Sequence, residues 1–255
     1  MSSKPFPWRL RIEHEGRNSL RLERPGRTVR FDPILPPSPE DIVVLSWNWP
    51  EHLSATRDAV VAGTCPTVVA HAHITSWLAG LGAVEGRPAP FQIDGLEIVQ
   101  EPYTPIDSAT PSETVHKLAS AMRRPDRAAR RLLQKRGLPD AAPLITQITF
   151  PDGARLLHLN LSLHRDTPVE WLDDVLARYG EPEWLVVGID HGHGDAVLEM
   201  VPKFKARFVI FTDLLVETRR SLGLPIELLT PVGDSAKSSG LDAYVFVSGA
   251  GLRFE

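Results

Sequence analysis

The feature that most constrains this chain is a pattern that occurs twice. Short strand-like runs joined by tight turns give way to units in which an apolar strand, a helix and another strand follow one another. In the first half, Trp8 to Glu13, Leu20 to Glu23 and Thr28 to Phe31 read as strands, with Gly16 and Pro25-Gly26 as turns. The apolar run Ile42 to Leu45, a helix from Leu53 to Ala62, the strand Thr67 to Ala70 and a helix from Ile74 to Leu81 come next. Two strands follow, near Phe91 to Ile93 and Leu96 to Gln100. The second half restarts with a hairpin, Leu144 to Phe150 and Ala154 to Asn160 around Asp152-Gly153. A helix from Pro168 to Tyr179, capped by Thr167, then leads into the buried strand Trp184 to Ile189. The segment DHGHGD precedes a helix from Ala196 to Phe204, the strand Arg207 to Phe211, another helix and a final hairpin ending in YVFVSGAGLRFE. Two such halves predict an α/β protein in which two sheets pack together and carry helices on their outer faces.

At 255 residues the chain is long enough for one large core, so a single domain over 1–255 is expected, with an insertion over about 106–143. A hydrophobic content of 42% and a net charge of −4 disfavour disorder and a wholly basic nucleic-acid binder. The single cysteine, Cys65, excludes an intramolecular disulfide and a cysteine-based zinc cluster. No apolar run has the length of a signal peptide or membrane span, so the expectation is a soluble cytoplasmic protein without membrane partners.

Charge is segregated along the chain. Between Lys117 and Arg136 there are eight basic residues and one acid, a local +7 within a chain of −4, so the rest carries −11. Arg123, Arg124, Arg127, Arg130 and Arg131 are the candidate partner-binding residues. An unknown protein partner with an acidic surface comes ahead of nucleic acid, and the bland alternative is a solvated helix face.

The stretch IEHEGRNSLRLERPGRTVRFDP followed by EDIVVLSWNWPEHL resembles the opening of metallo-β-lactamase-fold proteins, in particular the small UlaG-like hydrolases. CPTVVAHAHITSWLAGLGA, FQIDGLEIVQEPY and ITQITFPDGARLLHLNLS are similar to later elements of that family, in the same order. The resemblance implies a four-layer αββα sandwich. It also implies a metal signature, H-x-H-x-D-H, in the loop after the first buried strand. That loop here reads Trp47-Asn48-Trp49-Pro50-Glu51-His52, so both leading histidines are tryptophan. Indole offers no lone pair to a metal. The resemblance places the next family histidine near Tyr103, the bridging aspartate near Leu161 beside Asn160, and the last histidine near Asp213. Trp47, Asn48, Trp49, Tyr103 and Asn160 therefore become candidate pocket residues.

Loss of these ligands implies a pseudoenzyme with a degenerate metal site, a non-catalytic binding or scaffold protein with no cofactor. The enzyme alternative is a metal-dependent hydrolase with a relocated site for zinc, manganese or iron. It takes His52, His191, His193, Asp195 and Asp213 as ligands and Glu51 as the catalytic general base. The bland reading of His191 to Asp195 is a glycine-rich turn before a helix. For His71 and His73, two apart at a strand end, it is a polar strand edge, and for His14 a structural hydrogen bond. No nucleophile elbow, P-loop or dinucleotide fingerprint is present.

Overall fold

The structure is a computed structural model that describes residues 10–16, 19–24, 26–64, 66–83, 85–87, 89–103, 137–213, 216, 219–220, 224–246 and 251–254. Cys65 and Arg123, Arg124, Arg127, Arg130 and Arg131 lie outside them.

The first sheet begins with β1 (Leu10–Gly16), β2 (Ser19–Arg24) and β3 (Arg27–Phe31), an antiparallel meander. In β1 burial alternates strictly, with Leu10, Ile12 and His14 turned inward, as a period of two requires of a half-covered strand. β4 (Ile42–Val44), β5 (Thr67–Val69) and β6 (Glu85–Arg87) extend the sheet in parallel. Their connections carry α1 (Pro50–Val61), with Pro50 at its first turn, and α2 (Ala72–Ala79).

The second sheet opens with the antiparallel β7 (Phe91–Ile93), β8 (Leu96–Pro102), β9 (Leu144–Thr149) and β10 (Arg155–His158). It continues in parallel through β11 (Trp184–Gly188), β12 (Phe208–Thr212) and β13 (Ala243–Phe246). The intervening helices are α3 (Val169–Tyr179), α4 (Gly194–Met200), a 3-10 turn over Val201–Phe204 and α5 (Leu229–Ser238). β14 (Gly251–Phe254) returns to the first sheet against β1. Each sheet thus has seven strands, in the orders β14-β1-β2-β3-β4-β5-β6 and β13-β12-β11-β10-β9-β8-β7.

Three apolar clusters define four layers. Between the sheets, Leu10, Ile12, Leu22 and Phe31 meet Ile98, Ile148, Trp184 and Ile210. Each large side chain removed from water in this cluster contributes roughly 1.5–3 kcal/mol to the stability of the fold. Leu53, Ile74 and Leu78 seal α1 and α2 on one outer face, and Leu172, Val175, Val197 and Ala236 seal α3, α4 and α5 on the other. The four-layer αββα architecture is as expected from the sequence.

Local departures have local causes. The expected terminal hairpin does not form: β13 pairs in parallel with β12, whereas β14 pairs antiparallel with β1, so the last two strands close different sheets. Alternating apolar residues fit either pairing, and the open edge of β1 decides it. Thr167 is not the cap of α3. Pro168 occupies that position, and the Thr167 hydroxyl instead accepts from the His164 amide at 2.7 Å and donates to the Ser162 carbonyl at 3.1 Å. The helix expected over Ala196 to Phe204 changes to 3-10 geometry at Val201, where Pro202 removes a backbone donor.

Candidate functional site

The chain ends of β1, β3, β4, β10, β11 and β12 meet at one rim of the sandwich, and direct bonds between loops show how close they come. The Asn160 side-chain amide, beyond β10, donates to the Ser46 hydroxyl, beyond β4, at 3.2 Å. The Leu144 amide donates to the Ser46 carbonyl at 2.7 Å. His14 on β1 lies 3.7 Å from the carboxylate of Asp213, which follows β12.

Asp32 organises this rim. It leaves β3 with a φ of 44°, and its carboxylate accepts from the Ser46 amide at 2.8 Å, from the Ser46 hydroxyl and from the Trp47 backbone. His52 on α1 places Nδ1 3.8 Å from the same carboxylate. Burial pushes the Asp32 carboxyl above its ordinary range, while His52 and the hydrogen bonds pull the other way. The rim loop Ser46 to Pro50 is therefore held from beneath by a buried carboxylate.

Above it lie the two tryptophans. Trp47 and Trp49 are half-buried, with ring centroids 5.4 Å apart, and Trp49 stacks on His52 at 6.0 Å with a 16° interplanar angle. Asn48 turns away and donates to the Pro139 carbonyl at 3.1 Å. Tyr103 is buried. Burial raises its phenol, the Leu161 backbone opposes that shift and Asp32 adds to it, so the hydroxyl keeps its proton. Asn160 has a φ of 55°, a left-handed conformation that asparagine tolerates better than most residues. The five residues expected to form a pocket thus lie in the loops of one rim.

The residues expected under the relocated-metal reading do not assemble. Among the described residues there is no group of three or more His, Cys, Asp or Glu side chains that could hold a metal ion. His52 faces Asp32 and Asp213 faces His14. His191 lies 3.6 Å from Glu227, whose carboxylate also accepts from the Gly192 amide at 2.8 Å. His193 accepts from the Arg165 amide, and Asp195 is exposed in the first turn of α4. Glu51 falls in the first turn of α1, and its side chain lies outside the described residues. His71 and His73 have structural tasks: His71 caps α2 through the His73 amide, and His73 Nδ1 is 2.6 Å from the Asp140 carbonyl.

Three rim residues, Arg219, His164 and His158, escaped the sequence reading, as did the role of Asp190. Asp190 holds Arg219 at 2.5 Å, both being buried, and accepts from the His191 amide at 2.7 Å. His164 meets His193 edge-on, with ring centroids 4.7 Å apart. His158, on β10 against Phe31 at 5.1 Å, is driven down to about 3 by burial. Only its spacing after an apolar strand could have marked His164, which belongs to no motif.

No family model and no curated protein matches the chain. Solved structures do match. Igni18, a novel metallo hydrolase from the hyperthermophilic archaeon Ignicoccus hospitalis, superposes with a TM-score of 0.64 at 15% identity, covering 97% of this chain and 99% of that one. Isothiocyanate hydrolase from Delia radicum gut bacteria gives 0.60 at 11% identity, covering 96% and 98%. CmlA, a diiron β-hydroxylase from Streptomyces venezuelae, gives 0.63 at 12% identity, and here the chain spans 55% of its length. With two seven-stranded sheets between helical layers, the chain shares the fold of these structures, a metallo-β-lactamase-like αββα sandwich. At these identities the likeness is one of fold.

The positions where the resemblance places metal ligands do not fit a two-metal centre, and among the described residues no three His, Cys, Asp or Glu side chains gather to hold an ion. Trp47, Trp49 and Leu161 supply no donor, and the Tyr103 phenol stays protonated.

Proposed function

We propose that this chain is a non-catalytic binding or scaffold protein built on a hydrolase fold, a pseudoenzyme whose inherited metal centre has degenerated. The observation that carries this reading is the loop Ser46 to His52. There two indoles replace nitrogen donors, and the one remaining imidazole lies beside a buried carboxylate. A two-metal hydrolase depends on a bridging water made acidic by the ions, so losing the ligands removes the nucleophile. The arginine-rich stretch Lys117 to Arg136, outside the described residues, is the candidate contact for an acidic protein partner in the cytoplasm.

Elemental mass spectrometry of untagged protein tests the reading. The protein is grown with added zinc, manganese and iron and purified without chelator. Less than about a tenth of an equivalent of each metal is expected from the missing donors. Stoichiometric metal that disappears in His52→Ala would overturn the proposal. Metal that disappears when His191 and His193 are both replaced by alanine would establish the relocated site instead.

A further inference from the structure

The second sheet ends on β13, away from the rim, and that edge is open. Successive residues of a strand turn their backbone groups alternately to its two sides. The Val209 amide on β12 donates to the Asp242 carbonyl at 3.0 Å, so Asp242, Tyr244 and Phe246 face β12. Ala243 and Val245 then turn their N–H and C=O groups outward, and among the described residues no backbone bond reaches them. The other sheet edges carry devices that discourage pairing: β6 has Glu85 and Arg87, β7 directly follows Pro90, and β14 has Arg253. β13 reads Ala-Tyr-Val-Phe and has neither charge nor proline.

Beside this edge lies a groove of about 280 Å³, with Thr230, Asp234 and Lys237 of α5 on one side and Gly251 of β14 on the other. Asp234 and Lys237 are exposed one helical turn apart, and among the described residues neither side chain has an ion-pair partner. Gly233 lets α5 close down on the strand, since a β-carbon there would collide with the Val245 side chain.

We propose that this edge is the surface through which two copies of the chain associate, β13 of one pairing antiparallel with β13 of the other about a two-fold axis. The register follows from the groups left free. Setting Ala243 against the partner's Val245, and Val245 against the partner's Ala243, makes two hydrogen-bonded pairs and uses every outward group. Tyr244 then lies on the axis, where the two phenol rings meet as a closely spaced cross-strand pair.

The same axis fixes how the helices meet. Gly233 lies over Val245, and α5 runs antiparallel to β13 through the turn over 239–242. A strand rises roughly 3.3 Å per residue and a helix about 1.5 Å, so the axis through Tyr244 passes α5 about two residues beyond Gly233, near Ser235. Two-fold symmetry at that level brings Asp234 to the partner's Lys237, within about one residue of register, and repeats the contact on the other side. Charges that line the groove unpaired in one copy thus complement those of a second, which selects a second copy over an unrelated peptide.

Sedimentation equilibrium of the intact chain between about 1 and 100 µM tests this. A species of twice the 28.2 kDa chain mass is expected to grow with concentration. Val245→Pro removes an outward N–H without touching the β12 ladder and should be monomeric throughout. Asp234→Lys and Lys237→Asp each set like charges against one another twice and should weaken the dimer at least about tenfold. Combining the two exchanges the signs and should restore it. A chain monomeric at every concentration, a dimer unchanged in Val245→Pro, or a double variant no tighter than the single ones would overturn the proposal. Should Val245→Pro fail to fold, the three charge variants, altered only at exposed positions of α5, decide alone. An extended peptide bound at this edge by a chain that stays monomeric would likewise refute the second copy as its occupant.

Discussion

At the scale of single residues, the rim is an arrangement of buried polar groups, several of which bond across loops. Asn160 shows how much one position can carry. Its positive φ of 55° is a backbone state that a β-carbon resists, and its amide simultaneously reaches Ser46, which in turn donates to Asp32. Asn160→Ala keeps the backbone strain, loses the local compensation of asparagine and deletes the hydrogen bond. With the left-handed state costing ordinary residues roughly 1–2 kcal/mol and a hydrogen bond contributing about 1, a loss of about 2 kcal/mol is expected. Asn160→Gly restores backbone freedom and should lose only about half of that. Urea denaturation of both variants distinguishes the two contributions, and equal midpoints for the two would refute this division. Trp47, Asn48, Trp49, Tyr103 and Asn160, singled out in the sequence, lie in the rim loops, whereas His158, His164 and Arg219 were not picked out. The partners were not readable. That Asp32 lies beneath Ser46, or that His164 faces His193, depends on contacts between loops more than a dozen residues apart, which no local pattern encodes.

At the scale of elements, legibility followed burial. Strands with one covered face, such as β1, and the uniformly apolar β11 announce themselves through periodicity or its absence, and both lie where the sequence puts them. The errors cluster where pairing or capping decides: β6, three residues long, goes unnoticed, and the pair β13 and β14 splits between sheets. The end of α3 is a case where the local signal is strong and its tertiary use is hidden. Gly180 stops the helix at φ 64° and ψ −155°, a region open essentially to glycine alone. Arg155 on β10 then covers the exposed helix end, donating to the Tyr179 carbonyl at 2.7 Å and the Glu181 carbonyl at 3.0 Å. A β-carbon at Gly180 would lie 3.0 Å from the Arg155 guanidinium, so strain and a displaced cap act together. Gly180→Ala is expected to cost about 2–3 kcal/mol, or a fall of roughly 5–10 °C in Tm for a chain of this size. A calorimetric Tm within about 1 °C of the unmodified protein would show that the helix end relaxes freely.

At the scale of the whole molecule, the loops of the rim are held by bonds that cross between the two sheets. A bound divalent ion would tie loops from both sheets to one point and, binding only the folded chain, would add stability by mass action. Here the same loops are joined by the protein itself: Asn160 to Ser46, Leu144 to Ser46, His14 to Asp213, and Asp190 to Arg219. Below them, the cluster that includes Phe31, Ile98 and Trp184 closes the space between the sheets with apolar side chains from both. On the function proposed above, a rim braced in this way is expected to gain nothing from a metal and lose nothing to a chelator. The expected outcome is a Tm that moves by less than about 1 °C between excess chelator and a hundred-micromolar excess of zinc, manganese or iron, against the several degrees that a site filled at a hundred times its dissociation constant would produce. This measurement also detects an ion too weakly held to survive purification. A saturable rise of several degrees with one metal, abolished in His52→Ala, would mean that the rim still carries a working metal centre and that the tryptophans line it.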